Sequence, residues 1–487
     1  MPSSEDARSA ARMAVNSVRD RDPSLLAAFG ADLGDALEQQ LFFALRDGRS
    51  AATGAAGAWV EARSAMRTAV AVVGATLPRA PRVEPGAVVV LVREPIHLAA
   101  LCSVERELTE RDGPHLVALL VGRAAAVRRV DGPRSVRLER LLHPALGSEL
   151  LRLHARGLRR LRPATEGWDG LLGRPEAQRL RRVAGEEVPR IGLAAFALAS
   201  AIRRLEPSLI GAFDEVGTWA RILPTLARAH GTPSLDIPHA EAADAEAIRG
   251  AGYDRMAVYG PRAASVLRAA GIGDERIVQV GAPRFDAIAR SYPASSAPVA
   301  PPCVLFAAQY VAGALTADAL RICFAGALAA AARLAPSELV VRPHPAEPPG
   351  TIARMVAEVS PPEGVTVRID ASRSLHDLLD GAWLLVTAWS NSVLEAAVMG
   401  VPSLAVVPAD VTDPVNFAAE GLALHAASPE EAADVAEHLR DVGERTLAVE
   451  RARAGLAAHI GPPDGLASSR VADLMISMAT RGDQDAA

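Results

Sequence analysis

Lysine is absent from this chain of 487 residues, and all 52 of its basic residues are arginine. A P-loop uses a lysine to reach the terminal phosphates of ATP, a protein kinase uses one on its third strand, and pyridoxal phosphate enzymes use one for the Schiff base. The absence excludes these three kinds of site. A phosphate group bound here has to be held by arginine, histidine, hydroxyl groups or helix N-termini.

Cysteine is scarce as well. Cys102, Cys303 and Cys323 lie far apart in apolar runs, which excludes a disulfide framework and a zinc cluster. The chain has no apolar run of about 18 residues, and its charged N-terminus lacks the apolar segment of a signal peptide. We therefore expect a cytoplasmic protein, and peripheral contact with the inner face of the membrane stays open.

No charge of either sign dominates, because the formal net charge is only −5. Such a chain has no field that recruits nucleic acid, so we expect no nucleic-acid partner. The most basic stretch, residues 123–182, carries fifteen arginines, which we interpret as solvated helix faces. Docking of an anionic acceptor or a lipid headgroup on this stretch is the alternative, and a homodimer also stays open.

The apolar pattern changes along the chain and predicts an α/β protein with four regions. Residues 1–82 show helical spacing and are expected to form an N-terminal helical extension. Residues 83–295 and 303–462 each alternate short β-branched runs with helix-length segments, which predicts two Rossmann-like, doubly wound parallel sheets. The proline-rich residues 292–302 are interpreted as the linker between them, and residues 463–487 as a helix and tail that can pack back onto the first domain.

The strand ELVVR is followed by an Arg-Pro-His-Pro turn, at Arg342, His344 and Pro345. The two prolines make the backbone rigid at the rim of the sheet. A guanidinium group and an imidazole held there suit a pyrophosphate. The alternative is a surface arginine beside a turn histidine.

A second polar motif follows the strand WLLVT and opens a helix at Ser390, Asn391 and Ser392. Hydroxyl groups and unpaired amides at a helix N-terminus make an anion site. Glu395 lies one turn further on, where it can form a capping box or accept hydrogen bonds from ribose hydroxyls. Both readings stay open.

Polar side chains also follow strands of the first predicted domain, where ligands of open α/β sheets bind. Each is a candidate site residue, with a helix cap or a solvated charge as the alternative: Glu94, His97, Asp214, Glu215, His239, Arg284 and Asp286.

In their order and spacing, these motifs make residues 205–410 resemble the GT-B glycosyltransferases that carry an HP motif and a serine motif. This grouping includes bacterial polysialyltransferases, Kdo transferases and CDP-glycerol glycerophosphotransferases. The resemblance implies two Rossmann-like domains facing a cleft, with the acceptor on the first domain and the nucleotide donor on the second.

For individual residues, the resemblance implies that His344 contacts the donor phosphate and assists departure of the nucleotide. It places phosphate or the nucleotide's sugar at Ser390 and Ser392, and the ribose near Glu395. His239 stands where the family shows Gln-His-Gly, and Asp214-Glu215-Val216-Gly217 is one residue longer than the family's acidic base motif.

The expected activity is transfer of a sugar, or a sugar-like or polyol-phosphate group, from a CMP-, CDP- or UDP-linked donor, with inversion and without metal or cofactor. The acceptor is a hydroxyl of a glycan, a lipid-linked glycan or a small metabolite. One alternative is a UDP-N-acetylglucosamine 2-epimerase, a family in which HAEA at residues 239–242 has a counterpart. The other is a noncatalytic nucleotide-binding partner protein.

Overall fold

Two parallel β-sheets, each with helices on its faces, make up most of the chain. The computed structural model describes residues 3–47, 84–127, 132–238, 244–291, 301–310, 315–344, 347–348, 350–411, 413 and 415–485. These residues fall into two compact units. The first unit comprises residues 1–258, 264–280 and 468–487, and the second comprises residues 259–263 and 281–467.

The sheet of the first unit has seven strands, all parallel. A hairpin of β1 (Ala27–Ala28) and β2 (Ala31–Asp32) precedes it in the chain. In chain order the seven strands are β3 (Val88–Val92), β4 (Leu116–Leu120), β5 (Arg134–Arg137), β6 (Leu209–Ala212), β7 (Ser234–Asp236), β8 (Arg255–Val258) and β9 (Ile277–Gln279). Their order in the sheet is β5-β4-β3-β6-β7-β8-β9.

The sheet of the second unit has six parallel strands in the order β12-β11-β10-β13-β14-β15. In chain order they are β10 (Cys303–Ala307), β11 (Ser337–Arg342), β12 (Val365–Ile369), β13 (Leu384–Thr387), β14 (Ser403–Val406) and β15 (Leu424–Ala426). Val304 and Phe306 enter one apolar core while Leu305 and Ala307 enter another, so β10 is buried on both faces of the sheet. This explains why its sequence reads as a continuous apolar run.

Seventeen α-helices are described. In chain order, α1 to α17 are Ser4–Arg21, Gly34–Arg46, Pro95–Glu110, Gly147–Ala164, Trp168–Leu172, Arg174–Leu205, Trp219–Ala229, Ala245–Ile248, Pro261–Ala269, Asp286–Ser291, Ala317–Arg333, Thr351–Ala357, Leu375–Leu379, Ser392–Met399, Pro429–His438, Val442–Ile460 and Ala467–Asp485.

Helices α1 and α2 pack against each other, α1 also packs against α5, and α2 also packs against the long helix α6 and against α7 of the same unit. A buried polar cluster holds them there: Arg8 Nη1 and Arg221 Nη2 both donate to Gln39 Oε1, at 2.8 and 3.1 Å. Residues 48–83 of the expected N-terminal extension, and residues 292–300 of the expected linker, lie outside the described residues. No helix in the described ranges combines the length and hydropathy needed to cross a bilayer.

Candidate functional site

The order of the strands locates the ligand edge of each sheet. In the second unit, β10 lies between β11 and β13, and in the first unit β3 lies between β4 and β6. The crossovers therefore leave the first strand of each sheet in opposite directions. Ligands of open α/β sheets bind outside the carboxyl ends of the strands at such a switch point. Candidate residues follow β11 and β13 in the second unit and β3 and β6 in the first unit. The carboxyl edge of each sheet at these strands is therefore the expected place for a bound ligand.

At the switch point of the second unit, the loops that follow β10 and β13 are joined by a hydrogen bond. The backbone amide of Trp389 donates to Gln309 Oε1 at 2.7 Å. On the buried side, Thr387 Oγ1 donates to the carbonyl of Ala307 at 2.9 Å. Both loops are thereby fixed beside the start of α14.

The N-terminus of α14 presents a buried hydroxyl group to which no described residue forms a hydrogen bond. Ser390 Oγ accepts a hydrogen bond from the backbone amide of Ser392 at 3.2 Å. Ser392 is buried, and its Oγ has no hydrogen-bond partner among the described residues. A buried unsatisfied hydroxyl costs about 1–3 kcal/mol, and this one lies at the positive end of the helix dipole. A bound anion is one way to satisfy it.

Glu395, in the first turn of α14, is the centre of a charged cluster. Arg284 Nη2 donates to its Oε1 at 2.9 Å, and His376 Nε2 lies 3.5 Å from the same oxygen. The N-cap residue Asn391 makes no side-chain capping hydrogen bond, and Ser392 Oγ has no partner among the described residues, so of the two readings of Glu395 the capping box is wrong. Burial raises the pKa of Glu395, but the attraction of Arg284, His376 and Arg342 outweighs burial and lowers the pKa below its usual value. Glu395 is therefore ionised at neutral pH.

Arg342 is the last residue of β11 and is half-buried. Its Nε is buried without a hydrogen-bond partner among the described residues. Burial lowers the pKa of its guanidinium, opposed by the charges of Glu395 and Asp370. His344 is exposed two residues later, with its ring centroid 6.3 Å from that of Tyr310, and Pro345 lies outside the described residues.

Arg284 is the second arginine of this cluster, and its guanidinium carbon lies 4.6 Å from the ring centroid of Phe285. Its Nε is buried and has no partner among the described residues. Together, Arg284 and Arg342 place two positive charges near the carboxylate of Glu395, while Asp370, which also acts on Arg342, is paired with Arg368 and Arg373. The cluster keeps an excess of positive charge, which favours an anionic ligand.

Asp286 follows Arg284 closely in the sequence but has another role. It is buried, and its Oδ1 accepts a hydrogen bond from the backbone amide of Ala467 at 3.1 Å. That amide belongs to the first residue of α17, so Asp286 satisfies a helix N-terminus. The helix-cap reading explains this side chain.

In the first unit, Asp214 and Glu215 follow β6 at the switch point. Asp214 is buried, and its two oxygens accept hydrogen bonds from the amide of Gly217 at 2.6 Å and from Arg93 Nη1 at 3.1 Å. These bonds hold the turn after β6. Glu215 is partly exposed beside it. The two candidate bases thus differ: Asp214 is occupied in maintaining the turn, while Glu215 lies nearer to solvent.

Asp236 lies at the same edge and is a buried acid with a strongly raised pKa. It is not among the candidates predicted from the sequence. It ends β7, its exposed fraction is 3%, and its Oδ1 has no hydrogen-bond partner among the described residues. Burial and the neighbouring Glu215 and Asp214 raise its pKa well above the usual 3.8, although the Asp214 backbone amide opposes this. The sequence feature that could have identified Asp236 is its place inside the otherwise apolar run PSLDIP.

We expect Asp236→Asn to stabilise the protein by about 1–3 kcal/mol at neutral pH, since asparagine imitates the protonated acid without the free-energy cost of taking up a proton on folding. A raised pKa means that the stabilising contribution of the protonated acid is full below pH 3.8 and is lost as pH rises through the folded-state pKa. The advantage of the variant should therefore be larger at about pH 8 than at about pH 5. Urea unfolding at both pH values measures it, and an advantage independent of pH would contradict the assignment.

The other candidate residues of the first unit do not form a cluster with Asp214 and Glu215 among the contacts described. His97 is buried and stacks on Phe213 with centroids 4.6 Å apart. Glu94 precedes α3 and lies 3.8 Å from Arg123. His239 lies outside the described residues. Within the described ranges, no group of three His, Cys, Asp or Glu side chains has the arrangement that a metal ion requires.

No protein-family model matches this chain, and no curated protein matches it in sequence. Solved structures do match its fold. A UDP-N-acetylglucosamine 2-epimerase aligns with a TM-score of 0.51 and 13% identity, over 82% of this chain and 98% of that one. The Neisseria meningitidis UDP-GlcNAc 2-epimerase bound to UDP-GlcNAc aligns at 0.50 and 11% identity, over 80% and 100%.

A third structure, MnaA of S. aureus with UDP, aligns with a TM-score of 0.50 and 12% identity, over 79% of this chain and 94% of that one. At such identities the likeness is one of fold. Together with the seven-stranded and six-stranded parallel sheets, it confirms the expected GT-B class with two Rossmann-like domains.

Proposed function

We propose that the protein is a nucleotide-sugar-dependent glycosyltransferase whose second unit binds the nucleotide donor. The observation that carries the proposal is the switch point of β10 and β13. There, a buried hydroxyl without a described partner, Ser392 Oγ, begins a helix whose first turn holds the Arg284–Glu395–Arg342 charge cluster. Such a constellation at the carboxyl edge of a Rossmann-like sheet suits a nucleotide phosphate.

The donor phosphates would be held by charge and by hydroxyl groups. Arg342 supplies a guanidinium whose Nε has no described partner, and Ser390, Asn391 and Ser392 supply the start of α14. His344 is exposed on the same edge, where an imidazole donor can stabilise the charge that develops on the departing nucleotide. Pro345 would stiffen this turn.

Glu395 has a double role in this proposal. Its Oε1 holds Arg284 and His376 in place, which orders the cluster before a ligand arrives. The carboxylate is also the candidate partner of the ribose hydroxyls. Two solved structures with the same fold contain UDP or UDP-GlcNAc, which supports a pyrimidine nucleotide, and CMP-, CDP- and UDP-linked donors are all proposed.

The base of the reaction is assigned to the first unit. Glu215 is the preferred candidate because it lies nearer to solvent than Asp214, which is held by Arg93 and by the Gly217 amide. Asp214 would position its neighbour, and His239 is retained as a further candidate. In the reaction, the base takes the proton of an acceptor hydroxyl, and the oxygen of that hydroxyl forms a bond to the anomeric carbon of the donor. The bond from this carbon to the nucleotide phosphate breaks, and inversion results.

No metal or cofactor is part of the proposed chemistry, because the two arginines and the N-terminus of α14 would stabilise the leaving phosphate. The proposed acceptor is a hydroxyl of a glycan, a lipid-linked glycan or a small metabolite.

The test is release of nucleotide from CMP-, CDP- and UDP-linked donors by the full chain, with His344→Ala beside it. We expect release from one donor class and a loss of at least about 100-fold in the variant, the usual size of an acid–base or electrostatic contribution. His438→Ala, which changes an exposed histidine on α15, is the control. Release that is unchanged in His344→Ala would contradict the assigned role, and absence of release from every donor class would contradict the transferase.

A UDP-N-acetylglucosamine 2-epimerase is the second candidate, because two of the solved structures that share the fold carry that name. Conversion of the UDP-sugar without any acceptor would favour it. A noncatalytic nucleotide-binding partner is the third candidate, and tight nucleotide binding without turnover would favour that one.

A further inference from the structure

One face of α4 points away from the first unit and joins exposed leucines with arginines. Leu151 and Leu158 are 48% and 64% exposed. Positions three, four, seven or eight apart lie on one side of a helix. The outward face is defined by Leu151, Arg152, Ala155, Leu158, Arg159 and Arg162. It extends over about 17 Å of helix.

The arginines of the outward face differ from those on its flanks. On the flanks, Arg156 donates to the carbonyl of Ala27 at 2.9 Å, and Arg160 lies 3.3 Å from Asp22. In contrast, Arg152, Arg159 and Arg162 are exposed and take part in no ion pair with a described residue. The flanking arginines therefore hold α4 on the protein, while three positive charges face outward.

The charges of the outward face favour one kind of binding partner over the others. The face contains no carboxylate, so its formal charge is +3. In a symmetric dimer built on this face, each copy would meet the same three charges, which disfavours self-association. An acidic protein would neutralise the arginines but needs no leucines between them. An anionic bilayer accepts both, because its phosphates pair with arginine and its acyl boundary takes up leucine.

We propose that the outward face of α4 docks the protein on an anionic lipid bilayer. The helix lies in the plane of the interface, with Leu151 and Leu158 inserted below the headgroups and the three arginines among the phosphates. Because one short face contributes few contacts, binding is reversible and depends on salt. This docking is independent of the nucleotide chemistry of the second unit.

The test is sedimentation of the full chain with vesicles of equal parts phosphatidylcholine and phosphatidylglycerol, and with vesicles of phosphatidylcholine alone. We expect binding to the first, none to the second, and release by salt. Arg152/Arg159/Arg162→Gln should weaken binding on the order of 100-fold, since each arginine near an anionic surface contributes about fivefold. Leu151/Leu158→Gln should weaken it by roughly tenfold or more.

The matched control, Arg321/Arg354/Arg451→Gln, removes the same charge from exposed positions of the second unit and should bind vesicles like the wild type. An equal loss in the control, equal binding to both kinds of vesicle, or no binding to either would overturn the proposal. Size-exclusion chromatography tests whether the outward face is instead a dimer interface. If the wild type is a dimer and Leu151/Leu158→Gln is a monomer, the face binds a second copy of the chain and the proposal is overturned. All three variants change exposed side chains, and circular dichroism verifies their folding.

Discussion

Glu395→Gln is expected to destabilise the folded protein by about 3–5 kcal/mol at neutral pH, the usual cost of leaving one member of a buried ion pair behind. The side chains of Glu395 and Arg284 are only 9% and 20% exposed. Without the carboxylate, Arg284 keeps its charge in a place where water does not replace the lost partner. Urea unfolding at neutral pH measures the change.

The pH dependence of the same pair has a definite sign. The folded-state pKa of Glu395 is lowered, so its stabilising contribution is present at neutral pH and is lost as pH falls through that pKa. The difference between wild type and Glu395→Gln should accordingly shrink in acid. Glu437→Gln is the control, because Glu437 pairs with Arg440 at 3.4 Å where both side chains are about half exposed. It should change stability by less than about 1 kcal/mol.

A double-mutant cycle separates the contribution of the Arg284–Glu395 ion pair from the packing of the two side chains. If the cluster is as described, Arg284→Met combined with Glu395→Gln is less destabilising than the sum of the two single changes, because no unpaired charge remains. Strict additivity of the two changes would contradict the central place given to Glu395.

Arg342 is expected to determine much of the affinity for the nucleotide. Arg342→Ala should weaken binding of UDP, or of whichever pyrimidine nucleotide binds, by about 10- to 100-fold, because a charge-assisted hydrogen bond to phosphate contributes about 1.5–3 kcal/mol. Stability should change little, since Arg342 makes no described ion pair whose loss would leave a buried charge. Titration calorimetry of the wild type and of Arg342→Ala measures the affinity, and circular dichroism verifies that the variant is folded.

Arg354→Ala serves as the matched control for Arg342→Ala. Arg354 lies on α12 of the same unit and is exposed, so its loss removes the same charge away from the switch point. Equal weakening in the two variants would show that net charge, and not the position of Arg342, determines the affinity.

Much of the fold could be predicted from local pattern. Apolar runs such as VVVLV and CVLFA alternate with helix-length segments, and this alternation is sufficient to predict two parallel sheets. It also places Arg342 and Ser390–Ser392 at strand ends, because a strand's end is visible in the sequence itself. Strand order is not visible in this way, so the switch points became definite only with the structure.

The contacts within the site were harder to predict, because they join distant parts of the chain. Arg284 and Glu395 are 111 residues apart, and no local pattern indicates that they form an ion pair. The same holds for His376 against Glu395 and for Gln309 against Trp389. For Glu395 the local pattern also allowed a capping box, which is wrong because Glu395 Oε1 accepts a hydrogen bond from Arg284 and no side-chain cap hydrogen bond forms at the N-cap of the helix.

Thermal shift with CMP, CDP, UDP, dTDP and GDP measures directly whether a nucleotide binds at the switch point of the second unit. We expect a pyrimidine nucleotide to raise the melting temperature of the wild type, and we expect the increase to be lost in Arg342→Ala but kept in Arg354→Ala. If none of the five nucleotides raises the melting temperature, or if the increase persists in Arg342→Ala, the nucleotide does not bind at this switch point as proposed.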